Sequence, residues 1–332
     1  MLAKGVFVED YMKLSIREYD VPEPKAGEVM IKTMAVGLCC WDSWLYRGVN
    51  APGPYPYIIG HEGVGVVERV GEGVTGLKPG DNVSCLSGNN EMMCEYSTVP
   101  AAGLVKLPDV IDDWAKVVYE PACCVTNLLN ITDVQLGDHV VLVGAGYMGL
   151  QTLQLLTRAS QAGRITVFEL REDRRKMAME YGKDFGNPDC FRVLDPESEE
   201  GKKAVADIIA AGGADVCIDF GASDSGFHLA DSMTRQAGKL TIGSFHRSDV
   251  TFNGTKWHLG GLYVYNLAPM SNPHFKEMCP RCYSMIERGV LEPGKLVTHT
   301  AYFEDMEAMD NMFQRACDKG DNYMKGAILF YK

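Results

Sequence analysis

The stretch VLVGAGYMG at residues 141–149 decides the fold of this chain. An apolar run leads into three glycines spaced G-x-G-x-x-G, and the residues that follow (YMGLQTLQLLTRAS) carry the apolar periodicity of a helix. A second apolar run, RITVFEL at residues 164–170, comes next. This order of strand, glycine turn, helix and strand is typical of the first βαβ unit of a parallel sheet that binds a dinucleotide at the glycine turn.

Each part of this motif has an expected role. Gly144 makes the tight turn, Gly146 lets the backbone approach the pyrophosphate, and Gly149 allows the helix to pack closely on the strand. Glu169 lies about 20 residues after Gly149, at the spacing of the acid that bonds the adenosine ribose hydroxyls. Its carboxylate would repel a 2′-phosphate, so the motif favours NAD over NADP, a preference that Arg171 and Arg174 would soften. The predicted cofactor-binding residues are Gly144, Gly146, Tyr147, Met148, Gly149, Glu169, Arg174, Gly221 and Gly243. The alternative is a flavodoxin-like sheet whose glycine turn holds no nucleotide.

The segments on either side of the motif differ in character. Residues 1–110 contain short β-rich runs between glycine- and proline-bearing turns, such as GVGVVERV at 63–70, and predict a small, irregular all-β barrel or sandwich. From residue 138 onward, apolar strands alternate with helical patterns, which predicts βαβ units. The last 60 or so residues are mixed, with helical patterns at 275–288 and 305–319 and a final strand at 326–331.

Composition limits the partners of the chain. It has 332 residues, of which 46% are hydrophobic, enough for two domains, and its net charge is −12. The acidic balance argues against nucleic acid as a partner, since binding to a phosphate backbone needs a basic face. No apolar run approaches the roughly 20 residues of a membrane span, and the beginning of the chain shows no leader pattern. Eleven cysteines without an export pattern predict reduced thiols and a cytoplasmic location.

Three short segments in the first part of the chain contain residue types that bind metals. They read GLCCWD at 37–42, GHEGVGVV at 60–67 and EPAC at 120–123. Their spacing alone does not establish a metal site, because a buried cysteine often acts as a small apolar residue and a single histidine is more often a hydrogen-bonded core residue. On the residues alone, a zinc site and simple packing both remain open.

These three segments, the run VGEGVTGLKPGDNV at 70–83 and the glycine motif follow an order that resembles the medium-chain zinc alcohol dehydrogenases. The resemblance is strongest to their polyol branch (sorbitol, threonine and cyclitol dehydrogenases) and covers essentially the whole chain. It implies an α/β protein in which a GroES-like, β-rich catalytic domain, residues 1–125 and 266–332, is split around a Rossmann domain, residues 126–265. Relatives are dimers or tetramers joined through the Rossmann sheet, so a homodimer or homotetramer is also implied.

The resemblance implies a catalytic zinc with three protein ligands, Cys39, His61 and Glu120. Glu62 would lie beside the metal as an alternating or water-bridged ligand, and Asp42 would orient His61 by bonding its second ring nitrogen. Three protein ligands and an open position suit a catalytic zinc, which lowers the pKa of the substrate alcohol so that a hydride can pass to the nicotinamide.

The chain departs from the family pattern in two places. Many relatives carry a four-cysteine lobe for a structural zinc after the GDxV turn, but only Cys85 and Cys94 remain here, so we expect one catalytic zinc and no structural zinc. Trp41 stands where relatives begin a proton relay with serine or threonine, and tryptophan cannot pass a proton on. The proton must then leave through Glu62, Ser43 or ordered water.

Two other cysteine features have structural explanations. Cys40 adjoins Cys39 but is expected to point away from the metal, because successive side chains in extended structure alternate. The CxxC at 279–282 lies in a helical pattern and lacks a second CxxC, so we expect packing rather than redox chemistry.

The expected walls of the substrate pocket are polar. In the family they follow the GDxV turn and the late glycine of the Rossmann sheet, and here those stretches contain Ser87, Asn89 and His246. Polar groups in a dry pocket need polar partners on the substrate, and Trp41 and Trp44 would add a flat wall for a sugar-like ring. Unless these side chains face solvent, we expect oxidation of a polyhydroxylated secondary alcohol: a polyol, cyclitol, sugar or sugar acid.

Three other functions remain open. The first is a biosynthetic ketoreductase of the same fold that uses NADH or NADPH, because the catalyst is the same in both directions. The second is a zinc-free relative acting on enones, against which Cys39, His61 and Glu120 together argue. The third is a nucleotide-binding protein without catalysis, which Trp41 favours.

Overall fold

The computed structural model describes residues 1–86, 91–246, 248–267, 275–320 and 322–331. The chain divides into two compact units. One comprises Met1–Pro121 together with Pro293–Lys332, and the other is Ala122–Glu292. The first unit is therefore interrupted in sequence by the second.

The strands and helices of the described residues are numbered in chain order. The strands are β1 (Leu2–Asp10), β2 (Lys13–Asp20), β3 (Glu28–Leu38), β4 (Tyr57–Ile58), β5 (Glu62–Val70), β6 (Asn82–Cys85), β7 (Tyr96–Pro100), β8 (Leu104–Lys106), β9 (His139–Val143), β10 (Arg164–Phe168), β11 (Phe191–Leu194), β12 (Ala214–Asp219), β13 (Thr234–Ile242), β14 (Tyr263–Asn266), β15 (His299–Tyr302) and β16 (Gly326–Leu329). The helices are α1 (Cys40–Tyr46), α2 (Glu120–Thr132), α3 (Tyr147–Arg158), α4 (Glu172–Gly182), α5 (Glu199–Ala210), α6 (Asp224–Met233), α7 (Gly254–Gly260), α8 (Phe275–Glu287) and α9 (Met306–Asp318). Among these helices, none combines the length and the apolar character that a membrane crossing requires.

Strand β3 is the centre of the first unit. A seven-stranded sheet has the order β15-β16-β3-β5-β6-β8, with β7 also paired to β3, and a three-stranded sheet has the order β2-β1-β4. Ile31 and Val36 of β3 are buried in one core together with Met309 and Phe313 of α9. The β-rich unit predicted from the short strands is thus confirmed. Its sheet joins both ends of the chain, because β16 pairs with β3.

The second unit is built on a six-stranded sheet with the order β11-β10-β9-β12-β13-β14. Every neighbouring pair of strands in it is parallel. In order of appearance this is 3-2-1-4-5-6, the arrangement of a doubly wound dinucleotide-binding sheet. The fold predicted from the glycine motif is therefore confirmed.

The glycine turn joins β9 to α3. Gly144 has a φ of +94°, which glycine adopts without strain, and a Cβ there would lie 2.6 Å from the backbone of Phe220. A Cβ on Gly149 would collide with the carbonyl oxygen of Gly144. Around Gly146, the atom nearest to a Cβ would be Nη1 of Arg174, at 3.6 Å. Packing therefore requires the first and third glycines, while the second leaves room at the start of α3.

The second unit continues to Glu292, beyond the boundary that the sequence pattern placed after residue 265. Contacts with α3 explain the difference. The Glu292 backbone N–H donates to Oε1 of Gln154 at 2.7 Å, and Arg158 donates to the carbonyl oxygen of Val290 at 3.1 Å. These bonds join side chains of one helix to the main chain of a distant loop, so neither apolar periodicity nor turn residues predict them.

Replacement by alanine should affect the stability of the protein differently at Gly149 and at Gly146. Gly149→Ala should lower the free energy of unfolding by about 1–3 kcal/mol, because its Cβ meets a backbone carbonyl inside a packed turn. Gly146→Ala should lower it by less than about 1 kcal/mol, because the added methyl group has space. Denaturant unfolding of both variants measures the difference, and equal losses would contradict the packing role of Gly149.

Candidate active site

The carboxylate of Asp42 connects two of the predicted ligand segments. Asp42 is fully buried in α1, whose N-cap is Cys39. Its Oδ2 accepts a hydrogen bond from the Cys39 N–H at 2.8 Å, and its Oδ1 accepts one from the Gly60 N–H at 3.1 Å. Oδ1 also lies 3.4 Å from Nδ1 of His61. One side chain therefore fixes the backbone beside both Cys39 and His61.

Cys39, His61 and Glu62 form a compact cluster, in which one potential ligand atom from each lies within 4.8 Å of the other two. No other group of three cysteine, histidine or acidic side chains in the described part of the chain converges in this way. Strand pairing brings them together: β3 ends one residue before Cys39, and Gly37 of β3 is paired with Glu62 of β5. A Cβ on Gly37 would collide with the Glu62 carboxylate, so glycine makes the room for it.

The charges of the cluster favour a thiolate at Cys39. A hydrogen bond from the Cys40 thiol and the charge of His61 hold the pKa of Cys39 well below its usual range, although burial opposes this. Burial lowers the pKa of His61, yet Asp42 and Cys39 together hold it well above its usual range. A metal cation at this point would take the place of the proton that His61 otherwise holds beside the thiolate.

Cys40, which was expected to point away from the metal, is exposed and does not belong to the cluster of Cys39, His61 and Glu62. Its thiol is hydrogen-bonded to the Cys39 sulfur, and this contact raises the pKa of Cys40 while it lowers that of Cys39. The expectation assumed extended structure, whereas Cys40 is the first residue of α1, where successive side chains do not alternate.

Lys325 belongs to the site and was missed by the sequence analysis. It is 4% exposed, and its ammonium group pairs with Oε2 of Glu62. Burial raises the pKa of the Glu62 carboxyl to about 8, although Lys325 opposes this shift. The register Gly326↔Leu38 between β16 and β3 explains the position of Lys325 at this edge of the sheet. A lysine before an apolar strand is a weak signal in sequence, because most such lysines are solvated.

The donor set suits zinc. Thiolate sulfur, imidazole nitrogen and carboxylate oxygen are the atoms that hold a catalytic zinc, usually in a set of three with an open position. Nδ1 of His61 is buried without a hydrogen bond and faces Asp42, which leaves the other ring nitrogen for a metal. The residues present therefore fit this ion.

Two predicted catalytic residues lie outside the cluster. Glu120 begins α2 and is partly exposed. Burial is the main cause of the raised pKa of Glu62, and the charge of Glu120 adds to it, so Glu120 lies close to the three donors without converging with them. Ser43 is buried, and its hydroxyl donates to the carbonyl oxygen of Cys40 at 2.7 Å. The structure thus groups Glu62, rather than Glu120, with the other two donors.

The predicted pocket walls of the first unit are described in part. Trp41 and Trp44 meet edge to face with ring centroids 6.0 Å apart, and Trp44 is buried. The pair therefore forms one apolar block at the beginning of α1. Ser87 and Asn89 lie outside the described residues.

Asp219, a second residue missed from the sequence, connects three predicted positions in the second unit. It is fully buried at the end of β12. Its Oδ1 accepts a hydrogen bond from the Gly221 N–H at 2.8 Å, and its carbonyl oxygen accepts one from the Gly243 N–H at 2.9 Å. Its Oδ2 lies 2.8 Å from Nε2 of His246. One ring nitrogen of His246 is therefore already occupied.

A cavity of about 400 Å³ lies at the carboxyl edge of the second sheet. We call it the nucleotide cavity. Of the predicted cofactor residues it is lined by Gly144, Gly146, Glu169, Arg174 and Gly221. Tyr147, Met148, Gly149 and Gly243 do not line it. A Cβ on Gly243 would collide with the ring of Phe220, so its role, like that of Gly149, is in packing.

Glu169 and Arg174 bring charges of opposite sign to the nucleotide cavity. Oε2 of Glu169 accepts a hydrogen bond from the Ala145 N–H at 2.7 Å, and Oε1 accepts one from the Arg171 N–H at 2.9 Å. Each oxygen can accept a further bond. Burial lowers the pKa of Arg174, which makes no ion pair within the described residues, whereas Arg171 pairs with Asp173 at 2.8 Å.

Comparison with known proteins shows which dehydrogenases the chain resembles. Residues 25–109 match the family described as "Alcohol dehydrogenase GroES-like domain". Over 321 residues the chain is 26% identical to L-threonine 3-dehydrogenase of Pyrococcus horikoshii, with 85% of this chain and 86% of that protein covered. The chain is thus similar to the zinc-dependent medium-chain alcohol dehydrogenases. The predicted family and enzyme class, an oxidoreductase of the alcohol dehydrogenase type, are thus confirmed.

Two solved structures share the family fold across their whole length. The rspB alcohol dehydrogenase of Escherichia coli CFT073, solved with the cofactor NADH, has a TM-score of 0.83 at 24% identity and covers 99% of both chains. The 2R,3R-butanediol dehydrogenase of Bacillus subtilis has a TM-score of 0.79 at 23% identity, covering 99% of this chain and 100% of that one. At these identities the likeness shows the fold.

The buried pair of Glu62 and Lys325 predicts a double-mutant effect. Above about pH 8, where the buried Glu62 carboxyl is ionised, Lys325→Met should lower the free energy of unfolding by about 3 kcal/mol, because it leaves a buried carboxylate without its partner. Adding Glu62→Gln to that variant should recover much of the loss, because the uncompensated charge is then removed. Denaturant unfolding checks this, with Lys13→Met as an exposed control that should change stability by about 0.5 kcal/mol or less. A double variant no more stable than Lys325→Met would contradict the pairing.

Proposed function

We propose that the chain transfers a hydride between a polyhydroxylated secondary alcohol and NAD, with one zinc ion in the first unit. The observation that carries this proposal is the convergence of Cys39, His61 and Glu62 on one point, with Asp42 behind them. The doubly wound sheet and its nucleotide cavity supply the second requirement of such an enzyme.

The zinc would be held by two fixed donors, Cys39 and His61, and by one of two carboxylates. Glu62 is already in the cluster but shares its charge with Lys325. Glu120 lies close enough for its charge to act on Glu62, and we propose that it is the third ligand while Glu62 alternates with it. When bound, zinc would polarise the alcohol oxygen and lower its pKa, and the nicotinamide would accept the hydride.

The protein's own residues hold and orient these groups. Asp42 keeps His61 in place and, through the Cys39 N–H, sets the direction of the thiolate. Of the proton routes considered, the one through Ser43 has the least support, because its hydroxyl already donates to the Cys40 carbonyl oxygen. This leaves Glu62 and ordered water as the routes that we propose.

The nucleotide cavity favours NAD. Glu169 is 7% exposed and, with both oxygens already bonded to backbone N–H groups, is held as an acceptor for the ribose hydroxyls. Arg174 provides the one feature in favour of a 2′-phosphate, since it reaches the cavity without an ion pair within the described residues. The rspB relative was solved with NADH.

We propose a single zinc ion per chain, because the cysteines left from the four-cysteine lobe do not resemble ligands. Cys94 is buried, and its sulfur lies 2.9 Å from the Glu91 carbonyl oxygen and 3.1 Å from that of Tyr96. Burial raises the pKa of its thiol to about 11, so it stays protonated, and its single S–H is shared between these two acceptors. A metal would need the thiolate.

Strand β14 is the surface through which we propose that two copies pair. It is an edge strand of the six-stranded sheet, and Tyr263 on it and Leu259 just before it are 56% and 71% exposed. Unpaired edge strands with exposed apolar side chains readily pair with another chain. Sedimentation analysis should show a dimer or tetramer, and a monomer at micromolar concentration would contradict this assignment.

Two relatives and a tryptophan near the cluster support a polyhydroxylated substrate. Two relatives are named for threonine and 2,3-butanediol, and both molecules carry a polar group beside the secondary hydroxyl. Trp41, which packs edge to face against the buried Trp44, offers a flat apolar ring of the kind on which sugar rings pack.

Asp42→Asn should weaken zinc binding by about 10- to 100-fold, because outer-shell carboxylates orient a histidine ligand and raise its basicity. Metal analysis of the parent should give one zinc per chain, and competition with a chelator measures the loss in the variant. NAD binding, followed by fluorescence titration, should not change. Two zinc ions per chain, or unaltered affinity in Asp42→Asn, would overturn this part of the proposal.

A matched pair of substrates tests the function directly. NAD reduction should be at least tenfold more efficient with 2,3-butanediol or a cyclitol than with 2-butanol, because a polar site left without its partner loses binding energy. NADP should replace NAD poorly. Oxidation of simple aliphatic alcohols with no activity on any polyol, cyclitol or sugar acid would contradict the proposed substrate class, and no NAD-linked activity at all would contradict the function.

A further inference from the structure

One face of the second sheet carries polar side chains at the amino-terminal ends of its strands, where apolar side chains would be expected. Strand pairing places His139 beside Arg164 and Thr166 beside Arg192. Since Arg164 and Thr166 are two residues apart on one strand, all four side chains project from the same face. In a doubly wound sheet such a face is covered by helices and is normally apolar.

The same face becomes apolar two residues further along each strand. Val141, Phe168 and Leu194 are the next residues on that side of β9, β10 and β11, and they pack in one buried core with Ala204 of α5. The polar group is therefore the amino-terminal end of a buried face, at the sheet edge opposite the nucleotide cavity.

A cavity of about 280 Å³ lies between this polar group and α5. We call it the amino-edge cavity. It is lined by His139, Arg164, Thr166 and Arg192 from the sheet, and by Ile208 of α5 among others. The volume exceeds what a few water molecules need and is enough for a small organic or inorganic anion.

The two arginines of the amino-edge cavity have no partners in the described chain. Neither guanidinium group forms a hydrogen bond or an ion pair there, whereas Asp207, at the same cavity, is paired with Lys203 at 2.7 Å. Asp189 is the remaining charge on the lining. Two unpaired cations against one unpaired carboxylate leave a net positive charge.

His139 adds polar atoms but no charge. Burial lowers the pKa of His139 to about 4, and the charge of Arg164 adds to this shift, so the ring is neutral at pH 7. Its Nε2 lies 3.0 Å from Oγ1 of the buried Thr166. The floor of the cavity is thus a neutral hydrogen-bonded pair with the two guanidinium groups on the same face.

We propose that the amino-edge cavity binds a compact anion through a phosphate or carboxylate group held by Arg164 and Arg192. Guanidinium groups bind both kinds of oxyanion in a two-pronged geometry, and two of them converge here on a cavity of matching size. The site is separate from the nucleotide cavity, because β9 and β10 begin at one cavity and end at the other.

The experiment is a calorimetric titration of the full chain with inorganic phosphate and, separately, with malonate. Ionic strength is held constant with sodium chloride, and saturating NAD occupies the nucleotide cavity. We expect one saturable site per chain for at least one probe. Binding of phosphate alone assigns the site to phosphate groups, and binding of malonate alone assigns it to carboxylates.

Arginine variants test whether the anion binds in the amino-edge cavity. Arg164→Gln and Arg192→Gln should each weaken binding by about tenfold or more, and both side chains are exposed, so the fold should be kept. The control is Arg174→Gln, which removes the same charge from the same unit but at the nucleotide cavity, and it should leave the affinity unchanged. The proposal is overturned by the absence of saturable binding of either probe, by equal weakening in all three variants, or by loss in Arg174→Gln alone.

Discussion

The hydrogen bonds of the buried Asp42 carboxylate are the interactions on which the proposed metal site depends. Strand β3 ends one residue before Cys39, and its partner β5 begins one residue after His61, so both residues lie just outside the paired strands. Asp42 accepts hydrogen bonds from the N–H groups of Cys39 and Gly60 and faces the ring of His61. A buried charge is costly unless it is hydrogen-bonded, and here the bonds that stabilise the carboxylate also fix the two proposed zinc donors.

A second buried polar contact at the site joins Glu62 to Lys325, a residue near the C-terminal end of the first unit. Glu62 and Lys325 are 263 positions apart in sequence, yet both lie beside β3, because β5 and β16 pair with it. The charge of Lys325 lowers the pKa of Glu62, whereas burial and the nearby thiolate raise it, so the lysine offsets part of the cost of an acid at this position. The division of the first unit in sequence therefore has a chemical consequence. Its C-terminal strand β16 places Lys325 beside the buried Glu62.

The predictions succeeded where the signal was local and failed where it was made by pairing between distant strands. The glycine turn from Gly144 predicted the second sheet, since strand, turn, helix and acid follow one another in sequence. The three segments with metal-binding residue types predicted a zinc site only through their order along the chain, because their spacing alone did not establish one. Lys325 and Asp219 act through partners brought by the fold, so nothing adjacent to either residue indicated a role. The expectation for Cys40 relied on side-chain alternation in extended structure, whereas Cys40 begins a helix.

The most direct test of the central claim is X-ray absorption at the zinc edge on the purified enzyme. Coordination through Cys39 and His61, with Asp42 behind them, predicts one sulfur ligand at about 2.3 Å and nitrogen or oxygen ligands at about 2.0–2.2 Å. Two or more sulfur ligands would contradict the account, because the zinc would then be held by paired cysteines rather than by the cluster that Asp42 organises.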